Sequence, residues 1–158
     1  MTLPTGIQPG DVYTIFDFEF GDQQVADSKY YVVMGYYKGQ VAGFVTTSKE
    51  KGGRQRKEGC HAGKGVYPWN YYFKTKGKPF QDGTWVVLQI QWQNAISLAD
   101  RIASGKAARV LTFKDSEIRA LRNCFENSPE WADVCADYMY GGKTSAAATP
   151  PTENNGDA

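Results

Sequence analysis

Short apolar runs alternate with polar, glycine-marked breaks along the chain, and most of the runs carry the period of a β-strand. Residues 12–20 (VYTIFDFEF) set Phe16, Phe18 and Phe20 on one face and Asp17 and Glu19 on the other, the two-residue repeat of a strand with one wet face. Residues 21–28 are polar and read as a loop. Residues 30–37 (YYVVMGYY) are apolar throughout, which predicts a central strand. Lys38 and Gly39 predict a tight turn that returns residues 40–48 (QVAGFVTTS) as an antiparallel partner. Residues 49–66 carry Gly52, Gly53, Gly59, Gly63 and Gly65 and read as a flexible excursion. Strands follow over 67–74, 84–92 and 107–113, with a short helix or turn over 96–105 closed by Gly105. Ile118, Leu121, Cys124 and Phe125 then recur at helical spacing behind Asp115, a candidate cap. Ser128 and Pro129 predict a second helix from 129 to about 139. The expected fold is α+β: a small, curled antiparallel barrel followed by C-terminal helices.

Composition narrows this picture. A chain of 158 residues with 41% hydrophobic residues is long enough to bury a core and predicts one domain over 1–142. Residues 143–158 (KTSAAATPPTENNGDA) supply nothing to a core and predict a disordered tail. The net charge of +1 hides a strong asymmetry, because residues 49–78 carry nine basic residues against only Glu50 and Glu58. Such a segment steers a polyanion to one place on the surface. Read blandly, it is a solubilising loop. The aromatics that follow it, among them Tyr67, Trp69 and Tyr71, favour binding, because single-stranded nucleic acid uses cationic grooves together with stacking platforms. Lys49, Lys51, Arg54, Arg56, Lys57, Trp69 and Tyr71 are the candidate nucleic-acid contacts.

Several classes drop out. No apolar stretch is long enough to cross a membrane as a helix, and the opening MTLPTGIQPGD lacks the basic and apolar regions of a secretory signal. No glycine-rich strand-to-helix fingerprint supports a nucleotide-binding fold. Cys60, Cys124 and Cys135 are odd in number and far apart, so neither a secreted disulfide scaffold nor a zinc site with His61 is expected. No metal or cofactor is called for, and a cytoplasmic location follows by default.

The order of these pieces resembles the MazF/PemK toxin family, endoribonucleases of toxin–antitoxin systems with a compact barrel related to the SH3 shape. The resemblance runs over about residues 9–126. It is carried by Gly10-Asp11 opening an alternating strand, by Ser28-Lys29-Tyr30 leading into an apolar strand, and by Val45-Thr46-Thr47-Ser48 closing the next. Thr84-Trp85-Val86-Val87-Leu88 looks like the family's later core strand, and residues 114–125 look like its helix. The resemblance implies an SH3-like barrel, metal-independent cleavage of single-stranded RNA, an antitoxin partner and a homodimer. Lys29 stands where the family has its catalytic Arg, Tyr30 where it has Pro, and Thr47 matches its catalytic Thr. Residues 49–83 are long for the family.

RNA cleavage by the 2′-hydroxyl needs a base, an acid for the leaving oxygen, and positive charge for the phosphorane. Lys29 supplies charge, although without the planar two-point grip of Arg. Thr47 supplies a hydrogen-bond donor, while strand alternation turns Thr46 to the other face. His61 is the only histidine, has a side chain that titrates near neutrality, and lies inside the basic segment, which makes it the third catalytic candidate. A lone histidine is more often an ordinary surface residue, and adjacent Cys60 and His61 diverge too much for a thiol nucleophile with its base. The alternative reading is a non-catalytic barrel of phage or mobile-element origin that binds nucleic acid or protein.

Overall fold

The computed structural model describes residues 3–48, 57–64 and 66–141. Its elements are β1 (Asp11–Glu19), β2 (Val25–Tyr37), β3 (Gln40–Thr47), β4 (Gly59–His61), β5 (Asn70–Phe73), β6 (Thr84–Val87), β7 (Gln91–Asn94), α1 (Ala95–Ser104), β8 (Ala107–Thr112), α2 (Asp115–Glu126) and α3 (Cys135–Tyr138). The strands form one antiparallel sheet in the order β4-β5-β6-β3-β2-β1-β8, with β7 also on β3. The sheet is open, with β4 and β8 at its ends. Residues 143–158 lie outside the described residues.

Local chemistry explains most of the ladder. Lys38 and Gly39 both take positive φ, 50° and 80°, the backbone of a two-residue hairpin turn whose twist matches its strands. β2 starts earlier than expected, because residues 25–29 pair with the end of β1 (Glu19 with Val25, Ile15 with Lys29); the loop expected over 21–28 shrinks accordingly. In β1 the predicted face also needs correction. Ile15 and Phe18 are buried while Phe16 is exposed, because Asp17 takes a φ of 53° and breaks the two-residue alternation. Gly35 lies where a Cβ would stand 2.1 Å from the Tyr138 carbonyl oxygen, so only glycine lets the α3 turn approach β2.

The run expected as one strand over 84–92 is two. β6 pairs with the end of β3 through Thr46–Val86 and Thr47–Trp85, and β7 pairs with its beginning through Gln40–Asn94 to Gly43–Gln91. Residues 88–90 bend between them. Both faces of β2 and β3 are covered. One core gathers Val32, Met34, Phe44, Phe73 and Val86 under Leu121 and Phe125 of α2 and Tyr138 of α3. The other gathers Ile15, Phe18, Tyr31, Val33 and Val45 with Ala95 and Leu98 of α1. That is why residues 30–37 lack any polar alternation.

The helices carry their own signals. Asn94 caps α1 by accepting the Ser97 N–H at 2.9 Å, and Gly105 closes it in the left-handed conformation. Asp115 is not the cap of α2; Lys114 holds that position, and the Glu117 carboxylate reaches back to accept its N–H at 2.7 Å. The same carboxylate pairs with Lys76, whose ammonium is held below its ordinary pKa first by burial and then by nearby Lys114. The helix expected over 129–139 is only the single turn of α3, since residues 129–134 form turns.

The excursion expected over 49–66 contains β4, which pairs with β5 through Gly59–Tyr72, Cys60–Tyr71 and His61–Asn70. Cys60 is joined to Cys124 of α2 by a disulfide with a Cα–Cα distance of 5.6 Å. Their separation of 64 residues hid this pairing from the spacing of the cysteines. Cys135 is free and buried. Among the described residues, no helix is long and apolar enough to cross a membrane.

Candidate functional site

Strand register brings the candidate residues onto one sheet face. β2 and β3 last pair at Tyr31 and Val45; two residues further the same register sets Lys29 opposite Thr47. Thr47 pairs with Trp85 and Trp85 with Tyr72. The next row on that face holds Val87, Asn70 and His61, paired in that order. Directly paired residues project from the same side of a sheet. The His61 ring accordingly rests edge-on against Trp85, with centroids 5.0 Å apart, so the histidine reaches Thr47 only across the tryptophan.

Lys29 and Thr47 stand where two surface depressions meet, because both residues line both. One depression, of ≈ 520 Å³, is bounded by Phe20, Asp22, Tyr67, Asn70, Gln89 and Gln91. The other, of ≈ 590 Å³, is bounded by Ser28, Tyr30, Thr46, Phe80, Asp82 and Thr84. The Lys29 ammonium lies 6.0 Å from the Phe20 ring centroid. Each depression therefore offers a cation, a hydroxyl and one carboxylate, Asp22 or Asp82. Thr46 is buried and pairs with Val86, a residue of the core beneath α2; alternation separates it from Thr47 as expected.

The Nε2 of His61 lies 2.5 Å from the Lys57 carbonyl oxygen. A carbonyl only accepts, so Nε2 is the donor in this contact.

The aromatic candidates divide. Trp69 and Tyr71 are half-buried against the core that α2 covers, with Tyr71 stacked obliquely on Phe73 at 4.7 Å. Burial, and then the charge of Glu58, push the Tyr71 phenol above its ordinary pKa. Both rings thus face away from Lys29 and Thr47. Tyr67, 44% exposed, lines the depression instead. Of the basic candidates, Lys57 is exposed and lies two residues before β4; Lys49, Lys51, Arg54 and Arg56 lie outside the described residues. Asp22, Asn70, Gln89 and Gln91 escaped the sequence reading. The available signal was the two glutamines set inside an apolar strand at 89 and 91.

No group of three or more His, Cys, Asp or Glu side chains among the described residues could hold a metal ion. Comparison with family models, curated proteins and solved structures finds no match.

Proposed function

We propose that this protein is a metal-independent endoribonuclease of single-stranded RNA, of the MazF/PemK type, with its sheet an opened version of that family's SH3-like barrel. The observation that carries the reading is that Lys29 and Thr47 line both depressions together, next to the start of the basic segment. A phosphodiester seated on that boundary has the Lys29 ammonium and the Thr47 hydroxyl for its non-bridging oxygens. In the reaction the 2′-oxygen bonds to phosphorus and the bond to the 5′-oxygen breaks, giving a 2′,3′-cyclic phosphate and a 5′-hydroxyl. Asp22 or Asp82 takes the 2′-hydroxyl proton, and an acid returns one to the leaving oxygen. His61 serves a flanking nucleotide rather than the reacting phosphate, because Trp85 stands between. An antitoxin that covers this face, and a homodimer, follow from the same reading.

The test is incubation of purified protein with long unstructured RNA in excess EDTA. Cleavage is expected, with cyclic phosphate ends. Lys29→Ala and Thr47→Ala should each slow it about 10²–10³-fold, the effect of deleting one donor to a developing oxyanion, with the fold intact by circular dichroism. Failure to cut a broad set of RNAs rejects the enzyme. A second reading, binding without catalysis, is favoured by one observation: an ammonium replaces the planar guanidinium at position 29. Under it, RNA is retained on the protein uncut.

A further inference from the structure

We propose that the depression bounded by Phe20, Tyr67, Asn70 and Gln91 is a pocket for one unstacked nucleobase, so that the protein holds RNA by a base as well as by its backbone. This rests on the RNA reading above and adds a subsite to it.

Three features carry the inference. The first is a buried amide set in a fixed orientation. Asn70 is 2% exposed, and its Nδ2 donates to the Pro68 carbonyl at 2.8 Å. That bond fixes which end of the amide is oxygen, and Oδ1 makes no hydrogen bond to any described residue. Register places Asn70 beside Val87, and both line the depression. The oxygen end of the amide is therefore an acceptor that a ligand N–H can use.

The second is a complementary donor. Gln91 accepts the Gly21 N–H through Oε1 at 3.2 Å, which leaves its amide N–H groups for the cleft. Acceptor and donor together match the edge of a nucleobase, on which an N–H group and an acceptor atom sit side by side.

The third is a pair of aromatic walls. Phe20 comes from the β1–β2 turn and is braced edge-on by Phe18, with centroids 5.0 Å apart. Tyr67 comes from the segment before β5 and is open to solvent. Aromatic planes of this kind hold unstacked bases of any sequence. Lys29 lines the same depression, which places the phosphate of the bound nucleotide at the proposed cleavage position.

The test uses oligonucleotides with 2′-deoxy sugars, which cannot be cut by 2′-hydroxyl attack. Fluorescence anisotropy compares labelled hexamers of T, C and A with an abasic hexamer of equal charge, at low salt and in EDTA. The base-bearing hexamers should bind at least about tenfold more tightly than the abasic one. Tyr67→Ala, at an exposed position, should reduce that margin to less than about threefold. Gln91→Glu keeps the acceptor for Gly21 N–H while removing the donor, and should reduce it as well; because both ligands carry the same charge, the added carboxylate cancels in the ratio. Equal binding of abasic and base-bearing hexamers, or a margin unchanged in both variants, overturns the pocket and leaves the RNA reading standing on backbone contacts. Binding to none of the hexamers, together with no cleavage of RNA, overturns both.

Discussion

Breaking the link between Cys60 and Cys124 is the sharpest test of how the candidate site is held. β4 is three residues long and pairs with one neighbour, β5. The disulfide anchors it to α2 across a sequence separation of 64. Opening a loop of that length returns conformational freedom to the unfolded chain worth roughly 4 kcal/mol at 25 °C. Cys124 is buried, so replacing both cysteines by alanine keeps an apolar residue at the helix position. With a urea dependence of about 2 kcal/mol per molar, the double variant should lose about 2 M from its unfolding midpoint. Reductant should shift the wild-type protein similarly and leave the double variant unmoved. Thiol labelling after denaturation should find one reactive cysteine, Cys135, before reduction and three after it. A midpoint loss below about 0.5 M, or three labelled thiols in protein purified under oxidising conditions, refutes the argument. The bond also bears on location. Disulfides persist in oxidising compartments, whereas the cytoplasm keeps thiols reduced; a protein acting there works as the dithiol, with β4 held by its ladder to β5 alone.

Other consequences follow from packing and charge. Stability should fall as pH rises above 10: burial and the Asp11 carboxylate raise the Tyr13 phenol to about 12, and burial raises Tyr31 and Tyr138 as well. The unfolded chain then loses these protons first, so stability held below pH 10 is lost progressively toward pH 12, readable as a falling urea midpoint. Gly35→Ala forces a Cβ against the Tyr138 carbonyl and should cost about 1–3 kcal/mol in thermal or urea unfolding, with α3 displaced from β2. Neutralising Arg54, Arg56 and Lys57 together should weaken oligonucleotide binding and flatten the log–log salt slope by about 2, the effect of three phosphate contacts on a single strand. It should change stability by less than about 0.5 kcal/mol.

What could be read from the sequence follows the range of the interactions involved. The Lys38-Gly39 turn, the central strands over 30–37 and 40–48, the Gly105 stop and the spacing of Ile118, Leu121, Cys124 and Phe125 are local signals, and each has its element. The misses depend on distant partners. The three residues of β4 have no strand pattern of their own and gain their place from β5 and Cys124. The break at residues 88–90 arises because β3 offers one edge to both β6 and β7, which no window over 84–92 contains. Trp69 and Tyr71 looked like stacking platforms because composition ignores faces. Once β5 is in register, Asn70 shares the side of Lys29 and Thr47, and its aromatic neighbours turn to the core.

The position of the site then follows from where the helices go. α2 packs against β4 and β5, α3 against β2, and α1 against β7 and β8. The β6-β5-β4 extension is thus backed by α2 on the face that carries Cys60, Tyr71 and Val86. Its other face, carrying His61, Asn70, Val87 and Trp85, receives no packed helix of the described fold. The row pattern lets a single strand serve both ends. Val45 of β3 and its partner Tyr31 of β2 are buried in α1's core, and two residues away along each strand the same face presents Thr47 and Lys29 to the depressions. One sheet face thus passes from α1's core at Tyr31 and Val45 to the lining of the two depressions at Lys29 and Thr47 within a single step of the strand repeat, and the proposed phosphate position lies on that step.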